Sequence, residues 1–311
     1  MIIPLRTLYI GISAIIMFLM VFFCSDKKEA PVKIKEIEHR IVKDSVLKFL
    51  VKKDVSIEDY FDYMDSIVTN YNAKLTYKLN EHILVRYNSW IIDTLVNTDY
   101  YRMKVRDSFV YNQKQMIVLK KGKEIKIPDS IEANTIKKAF DKTVIDINIP
   151  EFKLRIYEDS LKLYEFLVRV GRNEKKYLKM GDRITDLRTK TGKGKIVAHV
   201  CNPDYYNPAN GHRYYVTRRD DEKTTLLPQI PFIETEINGI RNGQLIHPTT
   251  NPNTLGKAYS NGCIGTSEAD AWVIYYYAPI GTNVTIRYNL NVTDSIGRKV
   301  VLKDIYGYSK K

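Results

Sequence analysis

The chain has little cysteine and little histidine: three and five among 311 residues. Three thiols cannot build a disulfide framework. One of them, Cys24, stands apart near the N-terminus, so Cys201 and Cys263 form the only possible pair in the body of the protein. No His, Cys, Asp or Glu cluster has metal-ligand spacing, and no cofactor is expected. There is no run of five like charges, no nucleic-acid-binding motif and no internal repeat. These absences exclude a zinc module, a solenoid and nucleic acid as a partner. The formal charge of +13 is spread thinly, since residues 141–290 hold 21 Lys/Arg against 17 Asp/Glu. A diffuse basic excess suits an anionic lipid surface or a carboxylate-rich polymer, and a generally basic soluble surface is the plainer reading. Hydrophobic residues make up 44%, enough for one or two globular domains with sizeable cores.

One long apolar run is present. Thr7–Phe23 follows Arg6 and holds seventeen residues without a charge, then gives way to Cys24-Ser-Asp-Lys-Lys. A basic start and an apolar core describe an export signal or signal anchor. Cys24 at the polar boundary resembles the lipidation cysteine of a bacterial lipoprotein, although Phe23 stands where that signal takes a small residue. Without lipidation the run becomes an uncleaved membrane anchor, at the short end of what spans a bilayer. Either way the expected location is the periplasm or cell envelope, with a membrane tether through residues 1–24.

Residues 25–142 read as an accessory region, mostly helical. Apolar residues recur at helical spacing from Ile37 to Leu50, and Ser56 opens a second helical stretch through Val68. Met116–Pro128 alternates as two strands turned at Gly122. Its ending, Leu119-Lys-Lys-Gly to Ile-Lys-Ile-Pro128, resembles over about a dozen residues the close of a peptidoglycan-binding LysM module; a spacer-like domain is the plainer reading.

From residue 143 the pattern changes to strands: 144–149, 152–157, 161–170, 195–200, 244–247 and 282–288. Residues 202–243 read as a long loop-rich segment with four prolines. Ser267 caps a helix that Pro279 and Gly281 end. Residues 291–311 read as a basic tail.

The chemistry concentrates in one stretch, Leu245 to Gly265, which holds His247 and, sixteen positions on, Cys263. A cysteine attacks as its thiolate, and an imidazole is a common base for producing one. Gly262 leaves space beside an attacked carbonyl, and the backbone N–H groups of Gly262 and Cys263 suit an oxyanion. The carbonyl of Pro248 is available to fix the imidazole tautomer. Cys201, His199 and His212 carry no motif and read as structural. His39 and His82 lie outside this region, and Tyr205 and Tyr206 either line a groove or pack on the surface.

In context the stretch resembles the L,D-transpeptidase catalytic domain (YkuD-like), in which a His precedes a Ser-His-Gly-Cys block at a similar distance. Here the block is Ser260-Asn261-Gly262-Cys263. Thr189-Lys-Thr-Gly192, the Asn202-Pro203 segment and Pro279–Ile286 extend the resemblance over nearly half the chain. It implies an α+β protein whose catalytic domain, residues 143–290, is a mainly-β sandwich with a long insertion and one helix after Cys263. It also implies peptidoglycan stem peptides as partners. Cys263 attacks the amide after the L-centre of the third stem residue, releases D-alanine and passes the acyl group to an amine of a second stem. Water as acceptor makes a carboxypeptidase, and a protein lysine makes an anchoring enzyme. Ser260, Asn261 and Gly262 would support the oxyanion or substrate.

Three positions depart from the pattern: Asn261 replaces the block's histidine, Gly265 stands where many members have Arg or Asn, and Pro248 follows His247 where Gly is common. Sortase-type enzymes separate His and Cys by more residues, and papain-like enzymes place the Cys first. A non-catalytic wall-binding protein is the alternative, with Asn261 as its first sign.

Overall fold

The computed structural model describes residues 47–310. The expected leader, Cys24 and the helical periodicity from Ile37 to Val46 lie outside those residues. Within them, no helix is long and apolar enough to cross a membrane. The described residues lie in one compact unit.

The fold is α+β around an eight-stranded mixed sheet. Its order is Ile264–Thr266, Leu245–Pro248, Phe232–Ile237, Gly192–Val200, Asn283–Arg287, Thr143–Asn148, Lys153–Glu158 and Leu161–Leu167. Two neighbouring pairs are parallel: Leu245–Pro248 with Ile264–Thr266, and Asn283–Arg287 with Thr143–Asn148. Beyond Leu161–Leu167 the chain reaches the opposite edge. There Arg169 and Gly265 exchange backbone hydrogen bonds at 2.8 and 3.0 Å, and Val170–Gly171 pairs with Ala258–Ser260. The sheet thus curls until its edges are tied, which closes an edge that a flat sheet would leave open. Ile145, Ile147, Leu154, Ile156, Ile196, Ile246 and Ile264 fill its buried side; the alternation of apolar residues along each strand sets that face.

The expected helix after Cys263 is α6, Glu268–Tyr277, capped by the Ser267 hydroxyl, which accepts from the Asp270 N–H at 3.0 Å. Eight of its ten residues are buried. A helix apolar on all sides has to be covered on all sides. The sheet covers one side, and helices from the N-terminal part cover another. These are α1 (Ile57–Asn72), α2 (Glu81–Tyr87), α3 (Trp90–Val96), α4 (Tyr100–Val105) and α5 (Ser130–Asp141), of which α2 and α3 lie against α6. Phe61 stacks on Trp272 at 6.0 Å, and the hydroxyls of Tyr60 and Tyr276 are 2.6 Å apart. Asp99, which caps α4, also accepts from the Ala269 N–H at 2.9 Å, the first turn of α6. The described part of the accessory region therefore completes the core around α6.

Several sequence expectations are corrected. The helical spacing through Leu50 gives way to a strand, Lys48–Leu50, paired with Glu124–Lys126. Val55–Ser56 pairs with Ile117–Leu119. The two strands around Gly122 exist, but each joins the segment before α1, because Gly122 and Lys123 bond to Val51. Residues 202–243 hold a central strand, Phe232–Ile237, and a hairpin of Val216–Arg218 with Thr224–Leu226. Buried Thr235 dilutes that strand's apolar alternation, and Pro228 and Pro231 lie just before it. The basic tail returns to the fold: Asn291–Thr293 pairs with Lys299–Val301, and Tyr306 is buried against Tyr288 at 5.3 Å.

Where α2 meets the sheet, His82 stacks on His199 at 5.2 Å and both rings lie against Tyr275. Neither Nε2 has a partner among the described residues. Burial disfavours the charged forms, pushing His82 down to about 3 and His199 to about 4. The unfolded chain takes up these protons near pH 6.5, so stability is lost as pH falls from there toward 4. Neighbouring Glu81, raised to about 7 by burial, acts in the opposite sense as pH rises. In His82→Phe, melting temperature should fall by several degrees less than in the wild type across the acid window. An unchanged slope would show that the stacked pair is not a source of acid sensitivity.

Candidate active site

A parallel pairing sets His247 and Cys263 on neighbouring strands. Ile246 is level with Ile264, His247 with Gly265 and Pro248 with Thr266. One step back, Cys263 is level with Leu245, and its thiol donates to the Gly243 carbonyl at 3.9 Å. Side chains alternate along a strand, so Cys263 and His247 share the face opposite buried Ile246 and Ile264. They stand on adjacent strands, two register positions apart.

His247 Nδ1 lies 2.9 Å from the Pro248 carbonyl oxygen. A carbonyl only accepts, so Nδ1 carries the proton and Nε2 keeps its lone pair. Phe232 packs against the ring at 4.9 Å. Burial, with the charge of Arg169, lowers His247 to about 4. Burial pushes the Cys263 thiol up, against the Leu245 backbone and Arg169, which favour the thiolate. At neutral pH the resting pair is therefore thiol and neutral imidazole.

Around the thiol the block is rigidly braced. Gly262 has φ +113°, a conformation that favours glycine. Ser260 Oγ donates to the Cys263 carbonyl at 2.6 Å and accepts from the Gly262 N–H at 3.2 Å. The Gly262 N–H expected to face an oxyanion is thus already engaged, which corrects that assignment. The Gly262 carbonyl accepts from Thr189 Oγ1 at 3.0 Å, and Thr189 Oγ1 accepts from the Gly171 N–H at 2.8 Å. Tyr306 OH accepts from the Thr189 N–H at 3.1 Å and donates to the Gly171 carbonyl at 2.6 Å. A residue read as tail thereby steadies the backbone beside Cys263.

Asn261 Oδ1 accepts from Arg172 Nη2 at 2.6 Å, which leaves the amide N–H groups of Asn261 available. Asn261 lines two cavities. One, of about 340 Å³, holds Cys263, Gln244, Arg183, Arg188 and Lys190. The other, of about 490 Å³, is bounded by Asn207, His212 and Tyr214. His212 lines the second cavity, while His247, His199 and Cys201 line neither. Tyr205 packs on Phe232 behind His247, and Tyr206 is exposed. Among the described residues no group of three His, Cys, Asp or Glu could hold a metal ion.

Residues 142–286 match the family model of the L,D-transpeptidase catalytic domain, YkuD. That segment is the L,D-transpeptidase-like part of the chain. No curated protein matches the chain. Among solved structures, the chain is similar to an L,D-transpeptidase from Xylanimonas cellulosilytica (17% identity, TM-score 0.34). It is also similar to L,D-transpeptidases from Mycobacterium smegmatis (14%, 0.33) and Mycobacterium tuberculosis (17%, 0.32). Each alignment covers 47% of this chain and 60%, 58% and 57% of the other chains respectively.

Arg169, Arg172 and Tyr306 escape a reading of the sequence, since none sits in a motif and each reaches the block across the fold. The one sequence hint is Gly265, whose missing side chain leaves room for another residue to enter.

The resting protonation state can be checked directly. Ultraviolet thiolate absorbance, taken as wild type minus Cys263→Ala, should be absent at neutral pH and rise only above the ordinary thiol value of about 8.5. Thiolate absorbance at pH 5–7 would instead mean a preformed thiolate–imidazolium pair.

Proposed function

We propose that this protein is a peptidoglycan L,D-transpeptidase with Cys263 as nucleophile and His247 as base. The observation that carries the reading is the placement of both on one sheet face, with the imidazole tautomer fixed by Pro248 so that Nε2 holds a lone pair. The catalytic-domain match over residues 142–286 supports the substrate class.

As Sγ attacks the carbonyl carbon of the amide between the L-centre of the third stem residue and D-alanine, the thiol proton passes to His247 Nε2. The C–N bond breaks, the imidazolium protonates the leaving amine, and the stem is held as a thioester. An amine of a second stem then attacks the thioester, giving its proton to His247. The C–S bond breaks and the thiolate takes that proton back. With the Gly262 N–H engaged by Ser260, the Cys263 N–H and the Asn261 side-chain amide are the donors for the oxyanion. Asn261 supplies a hydrogen bond in place of the block's histidine and no acid–base group. The second cavity that Asn261 lines offers room for a second stem as acceptor. The same reading places the enzyme in the periplasm or cell envelope, tethered by residues 1–24 through a lipidated Cys24 or an uncleaved helix.

Sacculi treated with the soluble fragment from residue 25 and analysed for muropeptides should gain dimers joined between third residues. Tripeptides without dimers would mean that water is the acceptor, and an unchanged profile would contradict the reading. His247→Ala should slow product formation by about 10²–10⁴-fold, and Cys263→Ala should abolish it.

A further inference from the structure

Arg169 is a cation without a counter-ion beside the catalytic pair. It faces Gly265 across an antiparallel bridge with both backbone hydrogen bonds made, so their side-chain positions lie on one face of the sheet. Gly265 is in turn level with His247 on its other side. His247, Gly265 and Arg169 therefore stand in a row on the face that carries Cys263. The arginine stem occupies the space that a side chain at position 265 would need. A Cβ there would come within 2.4 Å of Arg169 Nε and 2.6 Å of its Cγ.

The guanidinium is poorly served by the protein. Nη1 donates to Thr254 Oγ1 at 3.3 Å, and Nε is buried with no partner. No carboxylate of the described residues pairs with it. Asp220, the acidic residue in its surroundings, accepts from the Asn253 N–H at 2.8 Å. His247, Tyr214, Tyr259 and Cys263 are the other titratable groups around it. A partly buried guanidinium with an unpartnered Nε is costly unless an anion meets it, and its planar fork matches a carboxylate.

We infer that Arg169 receives the free carboxylate of the substrate, the one borne by the residue leaving from the attacked amide. The inference rests on the proposed L,D-amide reaction. In that reaction the leaving D-alanine carries a carboxylate one residue beyond the carbonyl that Cys263 attacks. Gly265 is then a specificity position in its own right: its lack of a side chain lets a guanidinium from a distant strand segment reach the nucleophile's face.

The test compares a stem tetrapeptide ending in a free carboxylate with the same peptide ending in an amide. Binding of each to the full chain carrying Cys263→Ala is measured by calorimetry. The acid should bind about tenfold tighter or more, as expected of a charge-assisted hydrogen bond. Adding Arg169→Gln should bring the ratio close to one, and Arg169→Lys should restore part of it. Gly265→Ala, which keeps the charge but pushes the stem aside, should lower the ratio as well. Equal binding of acid and amide, a ratio unmoved by these variants, or binding of neither peptide overturns the inference. D-alanine release by the wild type is followed in parallel. No release with the ratio intact would sink the proposed reaction and leave the carboxylate site standing; release with a ratio of one would do the reverse.

Discussion

The arrangement of the candidate site depends on the register of one short parallel pair. Leu245–Pro248 and Ile264–Thr266 are only four and three residues long, yet their alignment decides which side chains meet. A slip of one residue would turn Cys263 away from His247, because the period of a strand is two. That register is held from both sides. Ile246 and Ile264 are locked in the core, and Arg169 clamps Gly265 from the edge beyond. Immediately before the pair, Gly262 turns the chain through a conformation open to glycine, and Ser260, Thr189 and Tyr306 fix that turn by hydrogen bonds.

The parts of the chain furthest from the site serve the same alignment. Helix α6 follows the second strand of the pair after a single capping residue, so its position helps to set where that strand ends. Being apolar on all sides, α6 needs the N-terminal helices as much as it needs the sheet. Glu268 at its start is fully enclosed, accepting from the Arg219 guanidinium, the Tyr100 N–H at 3.0 Å and Gln113 at 2.9 Å. Such a buried ion pair is weak evidence for added stability, but breaking it leaves an uncompensated charge. It ties α4, the segment before Ile117–Leu119 and the 216–226 hairpin to the helix that follows Cys263.

Much of this was legible in the sequence, for physical reasons that can be named. The strands from 143 to 167 show period-two alternation and are joined by short turns. Ser267 with its helix has a cap, an apolar run and a proline stop. The His247–Cys263 stretch and the Pro248 carbonyl stand out because the chemistry demands those groups. What escaped depends on distant partners. Phe232–Ile237 is central in the sheet, but buried Thr235 and its polar neighbours conceal it. Lys48–Leu50 has a helical apolar pattern and becomes a strand only because Glu124–Lys126 is there to pair with it. Tyr306 looks like tail until the Thr189 backbone meets its hydroxyl. Arg169 is invisible for the same reason, since nothing local connects it to Gly265.

The assignment of Cys263 as the nucleophile is tested most directly by trapping the covalent intermediate. A synthetic stem tetrapeptide mixed with the protein and quenched in acid should leave a tripeptidyl adduct, located to Cys263 by peptide mapping of the intact thioester. Release of D-alanine at the same rate from Cys263→Ala, or an adduct on any other residue, would contradict the assignment.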